Sequence, residues 1–209
     1  MGIKIVSVLA GVLMMAPFTT SAQTSSSLLS IIVDASNPPL RTIAPGTKNE
    51  IVTVLRLHAS IEPVKLNALT LGCDCTRVNS VEQFTVWDGA VEVGAGRFDA
   101  AALYPSSGNV YFAGGVIIPQ DGDKVLTIKV DVAPTSVVQN GDFIAINFSY
   151  DAPAGVTKAV GQNSGQLIGV SGYTTAPGVK ISIPTKSSAN QAVLQQLQQQ
   201  ITALQQQLA

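Results

Sequence analysis

The chain has 209 residues, of which 46% are hydrophobic and only 12% are charged, and its formal net charge is −1. This length suits one domain with short appendages and is large enough to bury a core. So few lysines and arginines give no basic surface for nucleic acid and no polybasic patch for a membrane. Charged residues usually make up about 25% of a soluble domain. Uncharged polar residues must therefore solvate this surface, which favours a secreted all-β domain.

Residues 1–22 have the pattern of a secretory signal peptide. Lys4 supplies the positive start, Ile5–Phe18 is an apolar run, and Thr20–Ala22 places small residues before a predicted cleavage site. The apolar run is shorter than the roughly 20 residues of a membrane span, and an uncleaved anchor is the alternative. We therefore expect a secreted or cell-surface protein with no membrane segment beyond the signal peptide, and with 23–29 as a polar lead.

Alternating apolar and polar residues predict a β-domain over residues 30–184. The clearest strand is Gly122–Ala133, in which Leu126, Ile128, Val130 and Val132 share one face and Pro134 ends the run. The other predicted strands are 30–33, 51–60, 64–71, 81–87, 91–98, 110–113, 143–150 and 179–183. Several short strands separated by long, glycine-rich loops favour a β-sandwich over a closed barrel.

Three local details are specific enough to test. Asp88-Gly89 between alternating segments predicts a hairpin turn. The apolar register changes between Leu66 and Leu69, which predicts a β-bulge near Asn67-Ala68. In strand 51–60, the alternation places one set of residues on a single face: Ile51, Thr53, Leu55, Leu57 and Ala59.

Residues 185–209 predict a linker and a coiled-coil-like helix. Five apolar residues are spaced 3, 4, 3, 4 in a heptad seam, namely Leu194, Leu197, Ile201, Leu204 and Leu208. Ser188 with Gln191 fits a capping box and places the helix start. Glutamine occupies nearly every other position, so charged pairs that would select a partner are missing. Two interpretations stay open, a single amphipathic stalk and self-association through the seam.

Cys73 and Cys75 are the only cysteines. In a flat strand their Cα atoms would lie about 6.6–6.8 Å apart, at the outer limit for a disulfide. A bent backbone, which Gly72 and Asp74 allow, would bring them closer, and export favours oxidation. A local disulfide is therefore the leading interpretation. A redox site supported by Arg77 alone and a metal site are the alternatives.

Aromatic residues could form a sugar-stacking platform, with Trp87 and Tyr111 as the candidates for ligand stacking. They make up only 5% of the chain and are scattered, so cover of a sheet face explains them as well. Surface glycans or cell-wall carbohydrate are accordingly the alternative ligand class.

Titratable side chains give no catalytic constellation. His58 is the only histidine, and it lies on the outward register of a predicted strand beside Arg56. The aspartates that could suggest structural calcium occur in turns or on outward strand positions, where aspartate is common: Asp88, Asp121, Asp123, Asp131 and Asp142. We expect no enzyme, no catalytic residue and no bound cofactor, with structural calcium as the alternative.

Several turn-and-strand motifs occur in order and together resemble a known family. They are Ile32–Asn37 with Ala44–Thr47, Val86-Trp-Asp-Gly89 with Val93-Gly94, and Ile118–Val132. This arrangement is similar to the immunoglobulin-like β-sandwich repeats in large surface proteins of uncultivated, small-genome bacteria. The resemblance covers about three quarters of the chain. These 209 residues differ from the family pattern in holding one copy and no wall-binding domain, and in carrying the two cysteines.

The resemblance implies an all-β, immunoglobulin-like antiparallel sandwich, followed by a Leu/Gln-rich helical stalk. It also implies an extracellular structural or adhesive module with no catalytic residues. We therefore expect a non-catalytic interaction module whose partners are other proteins or further copies of itself through the helix. A carbohydrate- or cell-wall-binding module is the alternative.

Overall fold

The computed structural model describes residues 29–99, 106–148, 157–184 and 186–207. The predicted signal peptide and all of the polar lead except Leu29 lie outside these ranges. Twelve strands, one α-helix and one short 3-10 helix (Val78–Ser80) are present in the described residues. The strands and the α-helix are β1 (Leu29–Val33), β2 (Arg41–Ile43), β3 (Glu50–Ala59), β4 (Val64–Cys75), β5 (Val81–Asp88), β6 (Val91–Gly96), β7 (Ser106–Ile118), β8 (Gly122–Val132), β9 (Phe143–Phe148), β10 (Lys158–Gly161), β11 (Val170–Ser171), β12 (Val179–Ile181) and α1 (Lys186–Gln207).

The strands form two sheets that pack face to face. The first sheet has the order β11-β1-β3-β8-β5-β6. In the second sheet β4 pairs with β7 along one edge, and β10 and β9 share its other edge, followed by β12 and β2. Most pairs are antiparallel, and the exceptions include β1 with β11 and β12 with β2. The predicted all-β sandwich is confirmed.

The core lies between the inner faces of the two sheets. Leu126, Ile128, Val130 and Val132 of β8 are all buried, and β8 pairs with β3 on one side and β5 on the other. One hydrogen bond crosses the core, from the hydroxyl of buried Thr53 to the carbonyl oxygen of Ile146, at 2.6 Å. Because apolar burial is the main stabilising term in folding, this two-sheet core is the scaffold that fixes both outer faces.

Two of the local predictions are confirmed. The β5–β6 hairpin turns at Gly89, which has a φ of 59°. The pairing of β4 shifts register between Leu66 and Ala68 on both of its edges, which is the predicted bulge. Beyond the bulge Leu69 and Leu71 are buried, as are Val64 and Leu66 before it.

Other predicted boundaries and faces were wrong. Ile51 faces outward and Val52 is buried instead, because the pairing of β3 with β8 shifts register between Ile51 and Thr53. Strand β7 covers 13 residues where four were predicted, and β4 continues to Cys75. Helix α1 begins at Lys186, two residues before the predicted cap. Short strands β2, β10 and β11 have too few residues for a detectable alternation.

Candidate functional site

The apolar seam of α1 is exposed. Leu194, Leu197, Ile201 and Leu204 keep 49–63% of their surface accessible, and Leu208 lies outside the described residues. Exposure of large apolar side chains in a row is unusual on a monomeric domain. The helix is not apolar enough to span a membrane: within the described ranges, no helix meets the length and hydropathy needed. The seam is therefore the predicted site that the structure leaves open to a partner.

The two cysteines lie near the end of β4. Their Cα atoms are 5.2 Å apart and their sulfur atoms are in contact, so the backbone is shorter here than in a flat strand. The residues are alternate positions of a single strand, and contact between such neighbours does not establish a covalent bond. No disulfide is therefore assigned.

The candidate stacking residues lie on different sheets. Trp87 is on β5 of the first sheet, where the ammonium of Lys129 lies over its ring, 3.8 Å from the ring centroid. Its indole N–H donates to the hydroxyl of Thr85 at 2.9 Å. Tyr111 is on β7 of the second sheet and is 62% exposed. Because these two aromatic residues lie on different sheets, the structure does not bring them together as a sugar platform. In addition, a cation already occupies one face of the Trp87 ring.

His58 lies in a row of polar residues across the first sheet. Ser30 of β1 is its partner on one side and Asp123 of β8 on the other. Its Nδ1 is 2.8 Å from Oδ1 of Asp123, whereas no hydrogen bond joins it to Ser30 in the described part of the chain. A serine nucleophile needs that bond and an oxyanion site. The row therefore gives a surface hydrogen bond between His58 and Asp123, although its residue types match those of a hydrolase.

The aspartates considered as calcium ligands bind protein groups. Asp88 pairs with Lys124 at 2.6 Å, and Asp131 accepts from the backbone N–H of Asn49 at 2.9 Å. Asp142 accepts from the backbone N–H of Gln139 at 2.7 Å. Across the described residues, no three metal-ligating side chains come together.

Asp34 anchors the loop after β1 and was not singled out by the sequence. It accepts hydrogen bonds from the hydroxyl and the backbone N–H of Ser36 at 2.6 and 2.8 Å, and from Nε of Arg56 at 2.7 Å. These bonds, those of Ser36 first, lower the pKa of Asp34 from 3.8 to about 2. Because the folded state holds the charged form, Asp34 stabilises the fold above pH 3.8, and this contribution is lost as the pH falls toward 2.

Replacing Asp34 with asparagine tests this assignment. We expect Asp34→Asn to lower the free energy of unfolding by about 1–2 kcal/mol at pH 7, because charge-assisted hydrogen bonds are lost. Urea unfolding at pH 7 and at pH 2.5 should show the difference from wild type shrinking at the lower pH. Glu92→Gln on exposed β6 is the matched control. A difference that stays constant with pH would contradict the assignment.

The outer face of the second sheet carries an apolar row that the sequence did not indicate. Lys65 of β4 is opposite Ile117 of β7 and opposite Val160 of β10, and Val160 is in turn opposite Leu167. Directly opposite residues on adjacent strands share a face. Ile117 is 47% exposed and Leu167 is 78% exposed. These four residues are called the second-sheet row below.

Comparison with known proteins gives only remote likenesses. No protein-family model matches the sequence, and no curated protein is significantly similar to it. The seventh ScaB type I cohesin from Pseudobacteroides cellulosolvens aligns at a TM-score of 0.38 and 11% identity, over 75% of this chain and 94% of that one. A chain of the complex of CaDoc0917 with CaCohA2 aligns at 0.38 and 10%, over 74% and 99%.

A third solved structure of similar shape has a different description. AvmM, which catalyses macrocyclization in alchivemycin A biosynthesis, aligns at a TM-score of 0.34 and 9% identity, over 77% of this chain and 90% of that one. Proteins of one general shape perform unrelated functions. At such low scores and identities these likenesses support no statement about what this chain binds or does.

Proposed function

We propose that this chain is a secreted or cell-surface, non-catalytic structural or adhesive module that self-associates through α1. The observation that carries the proposal is the exposed heptad seam. Two features of the chain support an extracellular setting: the resemblance of its motifs to the sandwich repeats of bacterial surface proteins, and its predicted signal peptide. The sandwich then holds its outer faces rigidly, and the helix joins copies of the chain.

The composition of α1 favours an identical partner. Within residues 187–207 no position is Asp, Glu, Lys or Arg, so identical helices meet without like-charge repulsion. Leucine fills d at positions 197 and 204, and of the three a positions, Leu194, Ile201 and Leu208, one has a β-branched residue. This distribution favours two parallel strands. A parallel pair would project both sandwiches from the same end of the stalk.

The strength of the association is limited by helix length. The 22 residues of α1 correspond to about 33 Å, which is about three heptads. Isolated helices of this length are marginal in water, and burial of each seam leucine contributes on the order of 2 kcal/mol. We therefore expect a reversible, concentration-dependent dimer.

Sedimentation velocity on the full chain tests the proposal. Wild type should shift from monomer to dimer as concentration rises, while Leu197→Asp/Ile201→Asp should remain monomeric, because two buried carboxylates would face each other across the seam. Gln195→Asp/Gln199→Asp adds the same charge at b and f positions and is the matched control. A monomeric wild type at every concentration, or equal dissociation of both variants, would refute self-association.

A further inference from the structure

The second-sheet row forms a continuous apolar strip across four neighbouring segments. Ile117, Val160 and Leu167 supply three apolar side chains, and the alkyl stem of Lys65, which is opposite Ile117 and Val160, lies directly over Gly115. Tyr111 continues the exposed apolar surface along β7. Lysine commonly covers apolar surface with its stem while its ammonium stays at the edge. The row therefore combines three apolar side chains with the ammonium group of Lys65, which lies between Ile117 and Val160.

Leu167 is held in this strip by a buried carboxylate. Glu62 accepts from the backbone N–H groups of Asn163 and Ser164, both at 2.9 Å, and from the hydroxyl of Ser164 at 2.6 Å. These bonds fix the turn after β10, and the N–H of Ile168 returns to the carbonyl of Ala159 at 2.8 Å. Since both ends of the turn are fixed, Leu167 is presented by an ordered backbone, which lowers the entropic cost of binding.

The charges on the two outer faces differ. On the first sheet Arg56 pairs with Asp34, and His58 pairs with Asp123. On the second sheet Lys65 lies within the row and Lys158 lies beside it on β10, and neither has an ion pair within the described ranges. Lys158 is opposite Ala68 on the same face. Two ammonium groups that have no ion pair among the described residues, next to apolar side chains, favour a partner that brings carboxylates.

The charges also argue against two other occupants. A second copy stacked on the same face would place lysines near lysines, which costs free energy at an interface. Helix α1 of a neighbouring copy has an apolar seam but no carboxylate within residues 187–207, so it complements the apolar side chains of the row but not its lysines.

We propose that the second-sheet row is a docking surface for a protein segment whose apolar side chains are flanked by Asp or Glu. The apolar residues of that segment would lie on Ile117, Val160 and Leu167, and its carboxylates would pair with Lys65 and Lys158. This surface is separate from the α1 seam, so the chain would bind another protein and copies of itself through different elements.

Selection from a phage-displayed random-peptide library on the full wild-type chain tests the proposal. The enriched peptides should combine apolar residues with Asp or Glu. Ile117→Lys/Leu167→Lys should weaken their binding by about tenfold or more, as expected when two of the three apolar contacts are lost. Lys65→Glu/Lys158→Glu should instead enrich peptides rich in Lys and Arg. Both pairs change outward-facing side chains, and unchanged thermal unfolding would confirm the fold.

Matched variants separate this surface from others. Ile32→Lys/Val91→Lys removes two exposed apolar residues from the first sheet and should leave peptide binding unchanged. Leu197→Asp/Ile201→Asp should abolish self-association and retain peptide binding, so the two proposals fail independently. The docking surface is refuted if no peptide is enriched, if the enriched peptides lack acidic residues, or if Ile117→Lys/Leu167→Lys binds them as tightly as wild type.

Discussion

Phe84→Ala is expected to lower the free energy of unfolding by about 3–5 kcal/mol, the range found when a large core aromatic is truncated. Phe84 is fully buried in β5, and its ring packs against the ring of Phe98 with centroids 4.7 Å apart. Gly96 and Gly108 lie directly against the same ring. Because these glycines have no side chains to move into the vacated space, the cavity should persist. The loss of unfolding free energy should therefore lie near the upper end of this range.

Urea unfolding followed by fluorescence of the single tryptophan measures this loss. Tyr111→Ala is the matched control, since it removes an aromatic ring from a strand position that is 62% exposed. Such a surface change should alter the free energy of unfolding by about 0.5 kcal/mol or less. If Phe84→Ala costs no more than Tyr111→Ala, the ring is not part of a closely packed core and the inner face assigned to β5 is wrong.

Strand β8 shows what a local pattern can establish. Its four alternate apolar residues are buried, and outward Val125 is exposed, as the alternation predicted. Period-2 alternation reports one-sided burial directly, and the alternation of β8 is unbroken because the register shifts in its pairing occur in the partner strands β3 and β5. The bulge in β4 could be predicted for the same reason, since the apolar residues change from one set of alternate positions to the other between Leu66 and Leu69.

The failures arise where a distant strand decides the outcome. Ile51 and Val52 are both apolar, so only the register shift against β8 determines that Val52 is buried. The predicted strand 110–113 stops before Gly114-Gly115, yet β7 continues through these two glycines. The alkyl stem of Lys65 on neighbouring β4 lies where a side chain at Gly115 would be. That contact depends on pairing between segments about fifty residues apart, which no local pattern encodes.

The two interaction surfaces differ in the same way. The α1 seam was predicted because its residues are close in the sequence and follow one helical period. The second-sheet row combines Lys65, Ile117, Val160 and Leu167 from four separate segments, and only the register of the second sheet aligns them. Exposed Leu167 in particular lies in a glycine- and serine-rich stretch with no alternation of its own.

Gly172→Ala should be the most disruptive glycine substitution outside the core. Gly172 follows β11 at a φ of 131°, and an added Cβ would overlap the backbone carbonyl oxygen of Ile31 in β1. A backbone oxygen in a paired strand cannot move aside as a flexible side chain can. We therefore expect β11 to separate from β1, which would expose part of buried Val170 and Leu29, at a cost of about 3 kcal/mol or more.

Gly46→Ala separates the steric overlap from the backbone conformation. Gly46 also has a positive φ, 74°, but an added Cβ there would meet no atom within 4 Å. Gly46→Ala should therefore lower the free energy of unfolding only by the cost of holding alanine at a positive φ, about 1–2 kcal/mol. Each kcal/mol shifts Tm by about 2–4 °C in a domain of this size. In thermal unfolding, the Tm of Gly172→Ala should therefore be clearly lower than the Tm of Gly46→Ala. Equal Tm values would mean that β11 does not lie closely against β1, and that this edge of the first sheet is open to pairing with another strand.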